Sequence, residues 1–239
     1  MNGHFTGEEK LGAIVSEYPG AGRLFKEVRL DFCCGGDRIL RDAIRQTDGD
    51  ENDILRRLNE AYAEWSNREE KNETDWRTAP IGELIDHIVN RHHAYLRVEL
   101  PLIGEYVTKI LRVHGGKHGE LSELHKLFHQ MKIELDQHLI AEEETLFPLL
   151  KQYTASPTAE LRERALKGLT ELESDHSLVG DYVKGMRAIT KGYALPSDAC
   201  GTFTLAYRKL DELETDLFEH IHLENNVLFP RIEERSSPR

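Results

Sequence analysis

Two stretches of this 239-residue chain align without a gap: His138-Leu-Ile-Ala-Glu142-Glu-Glu-Thr-Leu146-Phe147-Pro148 and His220-Ile-His-Leu-Glu224-Asn-Asn-Val-Leu228-Phe229-Pro230. Both read His-x-x-x-Glu-x-x-x-Leu-Phe-Pro. A helix turns about 100° per residue, so groups four apart stand nearly one above the other on one face. Each copy therefore aims an imidazole and a carboxylate in the same direction, one turn apart. Such a pair can hold a transition metal, and two pairs on facing helices can hold two.

The surrounding pattern supplies the facing helices. Four long segments of helical periodicity run from about Pro80 to His114, with a kink expected at Pro101; from about His118 to Tyr153; from near Pro157 to Lys191-Gly192; and from about Ser197 to Glu234. Short connections between long amphipathic helices predict an all-α, up-down-up-down four-helix bundle. Ahead of it, residues 1–65 read as a small helical domain. Its helices are expected at Leu11 to Val15, Ala21 to Leu30, Arg38 to Thr47 and Asp53 to Trp65, with Phe32-Cys33-Cys34-Gly35-Gly36 as a break. Residues 66–78, nearly free of apolar side chains, are expected to be a linker, which leaves 79–239 for the bundle.

The repeat also serves as a ruler. His93 lies 45 positions before His138, and His176 lies 44 before His220. Each helix hairpin thus carries one lone histidine and one His-x-x-x-Glu pair. His93 shares a face with Val89, Leu96 and Leu100, and His176 with Leu169, Leu172, Val179 and Val183, which are core-facing stripes. The expected inventory at the bundle centre is His93, His138, Glu142, His176, His220 and Glu224. A single His-x-x-x-Glu pair is commonplace on a solvated helix and contributes only about 0.2–0.5 kcal/mol; the repeated tail and the matched spacing carry the argument. Among the twelve histidines, His129 and His222 point about 180° and 200° away from the ligand faces. His4, His87, His92, His118 and His125 read as surface residues. His114 belongs either near the bundle mouth or to the helix C-terminus, where it would meet the helix dipole. Glu143 and Glu144 are expected to be solvated, and Glu134 and Asp216 to hydrogen-bond ligand imidazoles.

Four imidazoles and two carboxylates suit a dinuclear site. Bridging carboxylates offset the repulsion of two cations, and neutral imidazoles complete each shell. An oxo or hydroxo bridge and one open position for dioxygen or nitric oxide would remain. With no cysteine in the set, iron or manganese is favoured over a closed structural zinc, and ligand type alone does not separate iron from manganese.

The residues also resemble a known family. Asp31-Phe-Cys-Cys-Gly-Gly-Asp37, Ile85-Asp-His-Ile-Val89, the His93 region, Leu172-Glu-Ser-Asp-His176 and Leu223-Glu-Asn-Asn-Val-Leu-Phe-Pro230 together resemble the Repair of Iron Centres family, in which a hemerythrin-like di-iron bundle follows a di-cysteine domain. The resemblance implies that the four histidines are terminal iron ligands and that Glu142 and Glu224 bridge. It also implies that His93 and His220 share one iron and His138 and His176 the other. It implies repair of iron–sulfur clusters after oxidative or nitrosative damage, with damaged iron–sulfur proteins as partners. Oxygen-carrying hemerythrins use more histidines and an Asp-containing motif, so this chain departs from a pure oxygen store. Reduction of nitric oxide, or a sensor or carrier of nitric oxide or dioxygen, are alternative uses of the same centre.

Cys33 and Cys34 are either ordinary core residues or exposed thiols for metal hand-off, thiol exchange or reaction with nitric oxide; adjacent cysteines are awkward to bridge. Cys200 reads as incidental. The net charge of −12 argues against nucleic-acid or anionic-membrane partners. The first thirty residues lack a secretory pattern, and no apolar run approaches the roughly 18 residues of a spanning helix. A reducing cytoplasm is expected, and a homodimer is compatible with the acidic two-domain chain.

Overall fold

The computed structural model describes residues 3–68 and 74–235, without the side chain of Arg235. Positions 69–73 of the expected linker lie outside the described residues. No strand occurs among the described residues, only an isolated antiparallel bridge between Lys10 and Ile39. Among the described residues, no helix is long and apolar enough to cross a membrane. The chain divides into two compact units, Met1–Leu84 with Phe218–Arg239, and Ile85–Leu217.

In the first unit, helices α1 (Leu11–Glu17), α2 (Ala21–Glu27), α3 (Leu40–Ile44) and α4 (Glu51–Ser66) surround one core. Phe5, Leu11, Ile14, Phe25, Phe32, Leu40, Ile44, Ile54 and Leu58 are all buried there, and Phe218 packs against them. Asp50 caps α4 by accepting hydrogen bonds from the backbone N–H groups of Asn52 and Asp53, which satisfies donors that the helix itself leaves open. The third helix is shorter than the pattern from Arg38 to Thr47 suggests. Arg38 is held in a turn by Gly35 O at 3.2 Å, and Leu40 donates to Glu9 O at 2.9 Å. Those bonds hold Ile39 extended, at φ −67° and ψ 134°, so tertiary pairing overrides local helical preference.

The second unit is a helical bundle built from α5 (Ile81–His87), α6 (Ala94–His114), α7 (Glu120–Ala141), α8 (Phe147–Ala155), α9 (Ala159–Ile189) and α10 (Gly201–His222), α5 and α10 each extending slightly beyond it. Cross-helix contacts fix the directions. Along α6 and α7, His93 meets Glu143 and Thr108 meets His125, so these two run antiparallel. His92 meets Asp216 and Glu99 meets Lys209, so α6 and α10 do as well. Leu146 approaches Gly168 while Leu127 approaches Gly185, which makes α7 and α9 antiparallel. The alternation matches the up-down-up-down expectation. Buried residues follow the helical period, for instance Leu96, Leu100, Ile103, Val107 and Ile110 on α6.

The rods are not uniform. Among the described residues three π segments, Ile88–His93, Glu142–Leu146 and Leu223–Leu228, interrupt α geometry. Each carries an extra residue in its turn, a local widening that often accompanies functional sites. Pro101 lies inside α6, and the departure from α geometry in that rod falls earlier, at Ile88–His93.

Candidate metal centre

Each π segment contains a predicted ligand: His93 ends the first, Glu142 begins the second, and Glu224 sits in the third. In the bundle unit, Glu142 is fully buried, as is His93, while His138 and His176 are 3% and 2% exposed. His93 Nε2 lies 3.3 Å from Glu142 Oε2, and His138 Nε2 lies 3.4 Å from the same oxygen. His176 Nε2 is 3.1 Å from His138 Nε2. Three imidazoles from three helices therefore turn their Nε2 atoms towards one buried carboxylate. A carboxylate withdrawn from water is costly without a cation or donors beside it.

The outer nitrogens face the other way. His93 Nδ1 is 2.7 Å from Glu143 Oε1, and the same oxygen accepts from Arg97 at 2.6 Å. His138 Nδ1 lies 3.6 Å from Asp175 Oδ2. The Glu143 carboxylate on His93 Nδ1 fixes the tautomer that leaves Nε2 free to ligate, which is the usual support for a metal-bound histidine. Burial works against ionisation of Glu143, but Arg97 and His93 outweigh it and hold its carboxyl below the ordinary range. The His93 ring also stacks on Phe147, with centroids 5.7 Å apart.

In the first unit, His220 Nε2 lies 3.1 Å from Glu224 Oε1, and these residues are 1% and 0% exposed. His222 points elsewhere, with Nε2 3.3 Å from Ser16 Oγ and its ring against Phe32. Burial pushes it down to about 4. Two residues beyond Glu224, the Asn226 amide donates to Phe32 O at 3.3 Å and Cys33 O at 2.9 Å. It thereby holds the di-cysteine loop. In that loop Asp31 Oδ1 accepts from the backbone N–H of Cys34 at 3.0 Å and of Gly35 at 3.2 Å, and from the Cys33 thiol at 3.3 Å. Asp31, Cys33 and Cys34 each offer a ligand atom within 4.8 Å of the others.

Several expectations need correction. Glu143 is not solvated; it is the carboxylate that supports His93. His92 is not on the surface but 3% exposed, with Nδ1 3.1 Å from Asp216 Oδ1. Asp216 thus serves His92 and Arg91 rather than a ligand imidazole. Glu134 is half-buried, and the carboxylate near His138 Nδ1 is Asp175. Of the two alternatives for Cys33 the structure takes the core one: it is buried, and its hydrogen bond to Cys34, burial and the Asp31 charge push it well above the usual thiol range. Cys34 is half-buried. His114 has Nε2 3.2 Å from Cys200 Sγ. No spacing rule selects Glu143, since the π turn that carries it changes the face that an α-helix would assign.

The donor set fits iron. It is made of imidazole nitrogen and carboxylate oxygen, it is buried, and the outer nitrogen of His93 is held by a carboxylate. Comparison with known proteins agrees on the class: residues 84–232 match the hemerythrin HHE cation binding domain. Residues 7–62 match a domain of unknown function, DUF542. Over 94% of its length the chain is similar to the "Probable iron-sulfur cluster repair protein" of Haemophilus influenzae, with 34% identity over 229 residues and 96% of the relative covered. It is likewise 35% identical over 224 residues to the "Iron-sulfur cluster repair protein YtfE" of Citrobacter koseri, and 35% identical to that of Escherichia coli SMS-3-5, with 94% of this chain and 96% of each relative covered. The chain belongs to this family of iron–sulfur cluster repair proteins, the Repair of Iron Centres family that its motifs resemble.

Proposed function

We propose that this chain is a di-iron protein that restores iron–sulfur clusters damaged by oxidative or nitrosative stress, by donating iron to them. The observation that carries the reading is the convergence of His93, His138 and His176 on buried Glu142, alongside the second buried pair, His220 and Glu224, in a chain of this family. In this reading His93 and His220 would ligate one iron, His138 and His176 the other, and Glu142 and Glu224 would bridge. An oxo or hydroxo group would complete the pair. The irons would supply Lewis acidity and one-electron chemistry. The chain's own residues hold and tune them: Glu143 orients the His93 imidazole, and burial excludes bulk water.

The domain plan in this reading is a di-cysteine domain over residues 1–65, a linker over 66–78 and the bundle over 79–239. Cys33 and Cys34 act in hand-off. A protonated, buried Cys33 is a poor nucleophile, so its part is to bind an arriving metal as the thiolate, its proton passing to the Asp31 carboxylate 3.3 Å away. Damaged iron–sulfur proteins are the partners, nitric oxide and dioxygen the small ligands, the cytoplasm the compartment and a homodimer the assembly.

The test is reactivation. Iron-loaded protein is mixed anaerobically with an oxidatively damaged [4Fe–4S] dehydratase, and both enzyme activity and iron transfer are followed. Recovery faster than with the same iron as free salt is expected. Recovery no faster than with the salt, with the iron content of the protein unchanged, sinks the proposal.

A further inference from the structure

We propose that His125 and His129 form a second, peripheral site for a divalent transition metal of the zinc and copper class, independent of the core histidines. The two residues lie one turn apart on α7, with ring centroids 4.3 Å apart. Their Nε2 atoms reach the same oxygen, Thr108 Oγ1 on α6, at 3.2 and 3.4 Å. One hydroxyl carries a single proton and can donate to only one of them. The two nitrogens therefore aim at a common point, as a bidentate chelate requires, and imidazole is a preferred ligand of zinc and copper ions.

The surroundings keep the pair available. Burial, followed by the neighbouring His125 and Lys132, holds His129 below the ordinary histidine range, so the ring is neutral near pH 7. Thr108 and His129 line a cavity of about 660 Å³, roomy enough for a metal that keeps water or another ligand. Gly104 forms part of its wall. A Cβ there would stand 3.4 Å from His129 Cε1, so the missing side chain lets the ring lie against α6. The charged groups facing the cavity are Glu105, Lys109, Arg112 and Lys132. Lys132 is paired with Asp136 at 2.5 Å, whereas Lys109 and Arg112 have no ion-pair partner among the described residues. These cations oppose a bare hydrated ion and favour one that retains an anionic co-ligand, while Glu105 offers a carboxylate on the same wall. With two protein nitrogens and open remaining positions, the site is one for exchangeable metal, unlike a closed structural zinc.

The test is a calorimetric titration of Zn²⁺ into the iron-loaded full-length protein, with iron content checked before and after. One equivalent of Zn²⁺ beyond any held at Cys33 and Cys34 is expected to bind, and that equivalent to be lost in His125→Gln/His129→Gln at unchanged iron content and thermal stability. Cu²⁺ should bind more tightly than Zn²⁺ and show two coupled nitrogens by electron paramagnetic resonance. A Glu142→Ala variant, which perturbs the core site, should keep the peripheral equivalent, so failure of the di-iron reading leaves this one testable. Equal Zn²⁺ binding by the wild type and the double variant, or Cu²⁺ spectra unaltered by the double substitution, overturns the proposal.

Discussion

Removing the Glu143 carboxylate should weaken iron binding without touching a ligand. Its Oε1 lies 2.7 Å from His93 Nδ1 and 2.6 Å from Arg97, and the side chain is 22% exposed. The His93 ring is fully buried, and a water entering the space left by Glu143 would be neutral and less firmly held than the carboxylate. The carboxylate fixes the ring orientation and the tautomer, and it raises the basicity of Nε2. Loss of such a partner typically lowers metal affinity about 10–100-fold, or about 1.4–2.7 kcal/mol. Glu143→Ala should fall in that range. Glu143→Gln keeps an acceptor oxygen but not the charge, so its loss should be smaller. Arg97→Ala leaves the Glu143–His93 contact in place and should change affinity least. Competition against a ferrous chelator of known affinity, under anaerobic conditions, measures all three. The reasoning is refuted if Glu143→Ala binds iron as tightly as the wild type, or if Arg97→Ala is the most damaging of the set.

Other expectations follow from the rest of the structure. His222 should make stability depend on pH: unfolded it titrates near 6.5, but folded it is pushed down to about 4. The unfolded chain therefore binds more protons between those values, and stability is lost as pH falls through that window, by on the order of 3 kcal/mol in full; urea denaturation of His222→Gln should show a flatter pH dependence, and an unchanged slope would contradict the assignment. Gly36→Ala would bring a methyl group against the Asn226 side chain and to 2.7 Å from Phe32 O, so it should destabilise by about 1–3 kcal/mol, read as a lower denaturant midpoint. Arg187→Ala should cost about 3–5 kcal/mol, because Glu214, 2% exposed, loses the guanidinium 2.6 Å away; Arg187→Met/Glu214→Leu should regain most of it.

The bundle was legible because its helices obey one period over long stretches. The inward faces chosen from Leu96, Leu100, Leu169, Leu172, Val179 and Val183 are buried in fact, apart from the half-buried Val89 beside His93. His222 was correctly turned away by the same arithmetic. That arithmetic assumes uniform winding, and the π segments break the assumption where the chemistry is concentrated. Consecutive His92 and His93 are both buried, one meeting Asp216 and the other Glu142, and constant rotation does not identify both. The shortened third helix and the buried Cys33 were hidden for another reason. Both depend on bonds from distant segments, Glu9 to Leu40 and Asn226 to Cys33, which no local window contains.

The wide turns have a bearing on which sequence lengths this architecture tolerates. An inserted residue sets the two halves of a rod out of phase, so excising one residue from Ile88–His93 or Leu223–Leu228 would restore even winding rather than break it. The backbone would become more regular, while every side chain beyond the cut would swing by about 100°. A single-residue deletion within Ile88–His93 should therefore cost stability and iron together, because it would turn the buried stripe Leu96, Leu100, Ile103, Val107 and Ile110 away from the core.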